Sequence, residues 1–422
     1  MIPPALRHRR YRLLWIGLLI SIAGTRMQAA AILWHINQVS GQPLALGGVG
    51  LANIVPVLFF SLLAGVAADG INRRRLLLVT QTALAVLAGL LGWLTMRGAV
   101  SLWSIYLITA LSAGVATFDM PARQALVPNL LPREHLTNAF SLNSIAFQFG
   151  SIAGPALGGL VLAHWDIAYA YWLNAFSYLA VILALVLMGP VDQEMRADES
   201  ERRTLREVLP SVAEGLRFVV GQPIIFSTML LDFFATFFSS ATALLPIFAK
   251  DILGVGAIGY GWLVAAPSVG AGGVAAVLTF SGAIRRQGRV LLLAIAGFGV
   301  ATVVFGISRS FWLTFIALAM VGATDGVSTI IRNTVRQLQT PDRLRGRMTS
   351  VNQMFFMGGP QLGELEAGLV AQWLGAPLSV ISGGIGCLLA VAWTAARYPQ
   401  IRRYNGDEPL LAGEAAAATR AG

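Results

Sequence analysis

Charge is what this sequence has least of: Asp, Glu, Lys and Arg make up 12% of its 422 residues, about half the share found in soluble domains. Hydrophobic residues reach 56% and mean hydropathy is +0.69, which excludes a water-soluble protein of this length. Cysteine is nearly missing. Cys387 stands alone, so disulfides and cysteine metal sites within the chain are excluded. Histidine is scarce as well, with His8, His35, His135 and His164 all near the ends of apolar runs. No histidine pair, zinc motif or serine nucleophile elbow is present, and a membrane-embedded enzyme loses its usual equipment.

What is abundant is apolar sequence in runs of the length a helix needs to cross about 30 Å of hydrocarbon. Twelve such runs are predicted. The first six cover Leu13 to Ile36, Leu46 to Ala68, Leu76 to Met96, Leu102 to Ala122, Ala139 to Ala163 and Ile167 to Met188. The second six cover Ile224 to Phe248, Gly259 to Ala283, Val290 to Ile307, Phe311 to Ile331, Ser350 to Trp373 and Pro377 to Ala396. They are continuous and do not alternate, so helices and not barrel strands satisfy the backbone in lipid.

Positive residues flanking membrane helices favour the cytoplasm. With the N-terminus inside, 26 of the 30 Lys and Arg are cytoplasmic, counting Arg332 to Arg347 among them. Arg97, Lys250 and Arg309 lie outside, and Arg26 lies within a span. Eight of the ten tryptophans fall at outer span ends and Trp15 and Trp393 at inner ends, as the interfacial preference of indole requires. The net charge of +10 therefore reflects topology. Nucleic-acid binding is excluded, because the arginines are spread over seven inner segments with no soluble domain to carry them. The first run is too long for a cleaved signal peptide and is followed by further spans.

The longest polar stretch divides the chain into residues 1–189, a linker at 190–222, residues 223–397 and a tail at 398–422, the tail and linker being cytoplasmic. Within the linker, Leu205 to Val220 has the apolar spacing of a helix lying along the inner surface, with a plain solvated linker as the alternative. The two sets of six repeat one another. An offset of 209 pairs Ser141 with Ser350, Asn143 with Asn352, Gly150 with Gly359, Gly154 with Gly363 and Gly159 with Gly368. Two parallel six-helix halves follow from this duplication.

The stretch GVAADGINRRR, from Gly65 through Asp69 and Arg73 to Arg75, resembles the signature between the second and third helices of the major facilitator superfamily. Gly150-Ser-Ile-Ala-Gly154-Pro155-Ala-Leu-Gly158-Gly159 resembles the glycine and proline motif of antiporters in that superfamily. Three further stretches, Ile22 to Gln28, Pro121 to Pro128 and Leu136 to Ala139, resemble the branch of enterobactin exporters and related drug efflux proteins. One departure stands out: Leu111 to Gly114 occupy the place of an arginine in the fourth-span cavity motif.

The resemblance implies an all-α membrane protein with twelve helices in two pseudo-symmetric bundles. It implies export of a small organic molecule, siderophore or drug-like, by proton antiport, the halves rocking about a midplane site. The proton gradient would supply the energy without a cofactor. Substrate, protons and the bilayer would be the partners of a monomer in a bacterial inner membrane, with both termini cytoplasmic. An importer of the same fold and a membrane sensor or scaffold are the alternatives. By the same resemblance Arg73 pairs with Asp119 and Asp69 meets the start of the eleventh span, forming a gate latch with Gly65. Arg289 and Asp325 form a similar pair in the second half.

Charged groups inside spans are few, since each costs roughly 2.5–3.5 kcal/mol at the bilayer centre on insertion scales. Arg26, Asp232, Glu364 and Glu366 are the candidate proton or substrate site. A carboxyl group out of water favours its neutral form. Asp232 is thus a candidate proton carrier, or else a static ion-pair partner of Arg26. Glu364 is expected at the depth of Arg26, and Glu366 on a different face. Gly150, Gly154 and Gly158 share one helix face and permit close helix approach. Two readings of that face stay open, tight packing alone or a seal between the halves.

Overall fold

The structure is a computed structural model that describes residues 3–191, 214–280, 284–341 and 344–406. Among the described residues twelve helices correspond to the predicted spans, two of them with different ends. The first six are α1 (Arg9–Ser40), α2 (Pro43–Gly70), α3 (Arg73–Met96), α4 (Leu102–Leu126), α5 (Leu136–His164) and α6 (Ala168–Met188). The second six are α7 (Pro223–Ser239), α8 (Gly256–Phe280), α9 (Gln287–Ile307), α10 (Phe311–Leu338), α11 (Arg345–Leu374) and α12 (Ala376–Arg397). Eleven helices among the described residues are long and apolar enough to cross a membrane. The twelfth, α11, is 30 residues long and carries Glu364 and Glu366 in its second half.

Local chemistry sets the helix ends. Gly41 closes α1 in the left-handed region at φ 62°, open to glycine at little cost. Asn72 caps α3 by accepting the amide of Arg75 at 3.1 Å. Ser101 and Ser104 form a reciprocal capping box at the start of α4.

Two predicted spans differ from the observed helices. The run Ile224 to Phe248 is not one helix: α7 stops at Ser239, and short 3-10, α and π turns occupy Ala241–Ile252. Pro246 removes a backbone donor within this stretch. The run ending at Ile331 continues instead to Leu338, since neither Gly nor Pro interrupts α10 after Gly326. Arg332 and Arg336, expected in a cytoplasmic loop, are therefore helical and buried. In the linker, residues 214–221 are helical; the rest of the Leu205 to Val220 expectation lies outside the described residues.

Contacts divide the chain into two units, Met1–Leu205 with Ala243–Ala265, and Arg206–Thr242 with Ala266–Gly422. By sequence order the hairpin Ala243–Ala265 belongs to the second half, yet its contacts are with the first. In unit one α1 packs on α5 and α6, α2 on α4, and α3 on α4 and α6. In unit two α7 packs on α11 and α12, and α9 on α10 and α12. Four of the five partnerships of unit one recur here displaced by six helices, and Gly322 of α10 against Pro267 of α8 matches the fifth.

The apolar core of unit one gathers Tyr11, Leu14 and Leu18 of α1, Leu77 of α3, Leu126 of α4 and Leu185 of α6. Polar pairs tie α1 to α6 inside it: Asn174 donates to Gln28 at 2.7 Å, and Tyr171 meets His35 at 2.9 Å. Such bonds hold helices together where lipid offers no hydrophobic drive between them. Gly24 of α1 lies directly against Ser177 and Asn174 and leaves no room for a side chain.

Candidate functional site

At the basic end of unit one, where Arg73–Arg75 begin α3, Asp119 is 5% exposed. Its Oδ1 accepts from Thr80 at 3.0 Å and from Gln81 at 2.7 Å, both one helix away on α3. Its Oδ2 is ion-paired with Arg123, one turn further along α4. Arg73 does not make the expected pair. Its guanidinium donates to the Ala125 carbonyl at 2.9 Å and to Asn129 Oδ1 at 2.7 Å, at the end of α4 and in the turn that follows it. The reason is spacing: Arg123 sits at the i+4 position from Asp119 on the same helix and takes the carboxylate first. Gly65 and Asp69 fall in the last turns of α2, and their side chains lie outside the described residues. So does the expected meeting of Asp69 with the start of α11.

The glycine motif packs α5 onto α1. A Cβ on Gly150 would lie 2.6 Å from Ile22 Cγ2, and one on Gly154 would lie 2.5 Å from the Ala23 carbonyl oxygen. Gly158 faces Met27. Gly159 and Pro155 point elsewhere, toward the hairpin: a Cβ on Gly159 would be 2.6 Å from Ala257 O, and Gly261 sits against the Pro155 carbonyl. Next to this crossing, Tyr260 donates to Ala30 O at 2.8 Å and its ring lies 5.0 Å from Trp34. The motif thus has two faces, one for α1 and one for the hairpin.

Arg26 follows from that crossing, because its Cβ is held beside Gly154. Its side chain is exposed, and the guanidinium carbon lies 4.7 Å over the ring of Phe147 on α5. The cavity at Leu111 and Gly114, about 390 Å³ between α2, α3 and α4, is apolar and is walled by Pro56, Phe60, Val79 and Phe118.

Unit two holds a buried cluster of charge. Arg332 and Asp232 are each 1% exposed and form an ion pair between α10 and α7. The other arm of Arg332 reaches Thr329 at 2.8 Å and Asp325 at 3.4 Å. Arg336, 4% exposed, bonds to the Arg332 carbonyl at 3.1 Å and to Asn333 at 2.6 Å. Oδ2 of Asp232 and Nε of Arg332 are buried without hydrogen-bond partners. Asp232 is therefore held by Arg332 and not by Arg26. The expected Arg289–Asp325 pair is also not made, since Arg289 is exposed at the start of α9 and Asp325 turns to Arg332.

Glu364 and Glu366 are half-buried on α11, and neither carboxylate has a hydrogen-bond or ion-pair partner among the described residues. The repeat holds here in packing terms. Gly359 and Gly363 pack α11 on Thr236 and Phe237 of α7, as Gly150 and Gly154 pack α5 on α1.

Arg332, Arg336 and Arg123 escaped the sequence reading because positive residues beyond an apolar run were counted as loop. Helical spacing carried the missing signal. Asp325, Arg332 and Arg336 sit at i, i+7 and i+11, and share one face. Tyr260 and Gly261 had no such signal, because their role depends on how the hairpin docks.

Two like-ordered sets of six helices, each with charged groups held inside, define a major facilitator transporter. The fold matches the crystal structure of a bacterial homolog of the human lysosomal transporter Spinster, in an inward-facing and unoccupied conformation. The TM-score is 0.73 at 15% identity, over 95% of this chain and 99% of that one. A family model described as transmembrane secretion effector matches residues 3–408, and the chain belongs to that family. Among its relatives are the multidrug efflux pump Tap of Mycolicibacterium fortuitum, 28% identical over 91% of this chain and 94% of that protein. The enterobactin exporter EntS of Escherichia coli is 25% identical over 96% of this chain and 95% of its own length.

Proposed function

We propose that this transporter exports a small organic molecule from the cytoplasm in exchange for protons, by alternating access. The direction is supported by the family and by two relatives whose names are those of an efflux pump and an exporter. The observation that carries the proton coupling is the buried pair of Asp232 and Arg332, with the half-exposed Asp325 on the other arm of Arg332. A carboxylate held inside a membrane helix with one oxygen unpartnered is too costly to serve as packing alone. In this cycle a proton arriving at Asp232 neutralises the carboxylate, frees Arg332 from it and leaves Arg332 to Asp325. Departure of the proton on the other side restores the pair. Glu364, unpaired on α11, is the second proton-carrying group.

Alternating access assigns the hairpin Ala243–Ala265 to the outer gate. Tyr260 and Gly261 are the contacts that must form and break. The protein works as a monomer in the cytoplasmic membrane with both termini inside, uses no cofactor, and draws on the proton gradient.

The test uses purified protein in liposomes with an imposed pH gradient and ethidium as the transported probe. Ethidium movement coupled to proton flux, abolished in Asp232→Asn, is the expected result. Ethidium movement indifferent to the gradient would remove the antiport reading, and no movement of ethidium or of a panel of drug-like dyes would remove the exporter reading.

A further inference from the structure

Arg26 is a charged side chain of unit one set deep within a membrane span, and no carboxylate among the described residues neutralises it. The described carboxylates of that unit are engaged elsewhere or lie at helix ends: Asp119 with Arg123, Glu134 beside His135, Asp166 capping Ala168, and Asp251 in the turn after α7. The guanidinium makes no hydrogen bond to described residues, so all five of its N–H donors are available. Yet it lies in the middle of α1, eighteenth of 32 residues, where a charge facing lipid is costly. Arginines at that depth face a bundle interior or a water-filled cavity.

The surroundings give it a fixed pose. Gly154 lets α5 approach until the Arg26 Cβ is trapped against it, and the Phe147 ring, 49% exposed, covers one face of the guanidinium. No hydrogen bond occupies its donor edge among the described residues, and Phe147 is the ring that stacks on the guanidinium. A planar fork of donors matches a planar oxyanion in two parallel hydrogen bonds, and its face stacks on an aromatic ring.

We propose that Arg26 and Phe147 form the recognition point for an organic carboxylate that carries an aromatic ring, so that organic anions are among the molecules this transporter accepts. This rests on the transport reading above and names the chemistry of its cargo. Arg26 acts here as a specificity-determining residue, binding substrate and carrying no proton.

Binding measured on the purified full-length protein in nanodiscs tests this without any gradient. The probes are 1-naphthoate and 1-naphthylmethylammonium, which share a ring and differ in the sign of charge. The wild type is expected to bind the naphthoate more tightly by roughly ten- to hundredfold, the scale of charge-assisted hydrogen bonds. Arg26→Gln is expected to erase that preference while leaving the unfolding temperature of the ligand-free protein unchanged. Arg26→Lys, which keeps the charge and loses the fork, falls in between, and Phe147→Leu weakens both probes while preserving the preference. Equal binding of the two probes, binding of neither, or a preference surviving in Arg26→Gln overturns the proposal. Proton-coupled flux of ethidium is measured separately, so a failed anion preference leaves the exporter reading standing, and a failed flux assay leaves the anion site standing.

Discussion

Arg332 shows how much one buried side chain decides. Its guanidinium is enclosed at 1% exposure and holds Asp232 on one arm and Asp325 on the other. Removing one partner of such a pair leaves the other charged and unsolvated, which costs about 3–5 kcal/mol. Arg332→Gln is therefore expected to lower the unfolding temperature markedly in detergent, and Asp232→Asn with Arg332→Gln to recover most of the loss. A double-mutant cycle by thermal unfolding measures this, and additive losses would contradict a direct pair. Glu364 makes the opposite case. With no partner to orphan, Glu364→Gln is expected to leave stability within about 0.5 kcal/mol while reducing proton-coupled flux.

Among elements, the α1–α5 crossing is tightly constrained. Gly154→Ala forces a methyl to within 2.5 Å of a backbone oxygen, so the helices must part. Overpacking of this kind costs about 1–3 kcal/mol. Gly273, inside α8 with nothing within 4 Å of an added Cβ, is the control. Gly273→Ala replaces a poor helix former in open space and is expected to be neutral or to stabilise by up to about 1 kcal/mol. Thermal unfolding of the two variants side by side reads the contrast. At the hairpin, Tyr260→Phe removes only the bond to Ala30 O, worth about 0.6 kcal/mol between membrane helices. Any large change in substrate leak in that variant thus reports on gating and not on folding.

For the whole molecule, topology is the property open to direct measurement. Cys387 is fully buried, so introduced cysteines are read against a silent background. With both termini inside, Ser101→Cys before α4 is expected to react with an impermeant thiol reagent in intact cells, and Arg402→Cys only after the membrane is opened. The reverse pattern would invert the inside assignment of the arginine-rich ends and, with it, the proposed direction of transport.

Apolar runs, arginine asymmetry and tryptophan placement made the class, the number of helices and the two repeated halves legible from sequence, because the bilayer penalises every exception to those patterns. Two quoted motifs brought in the family. The glycines were legible too, since their spacing alone puts Gly150, Gly154 and Gly158 on one face. Pairing was not. Asp119 chose Arg123 over Arg73, and Asp232 chose Arg332 over Arg26, because partner choice depends on which helices touch and on where each side chain lies along them. The hairpin illustrates the same limit at larger scale: chain order puts Ala243–Ala265 in the second half, while packing gives it to the first. Sequence determined what must be buried in lipid; only tertiary structure decided which buried charge meets which, since that is a matter of distance and not of composition.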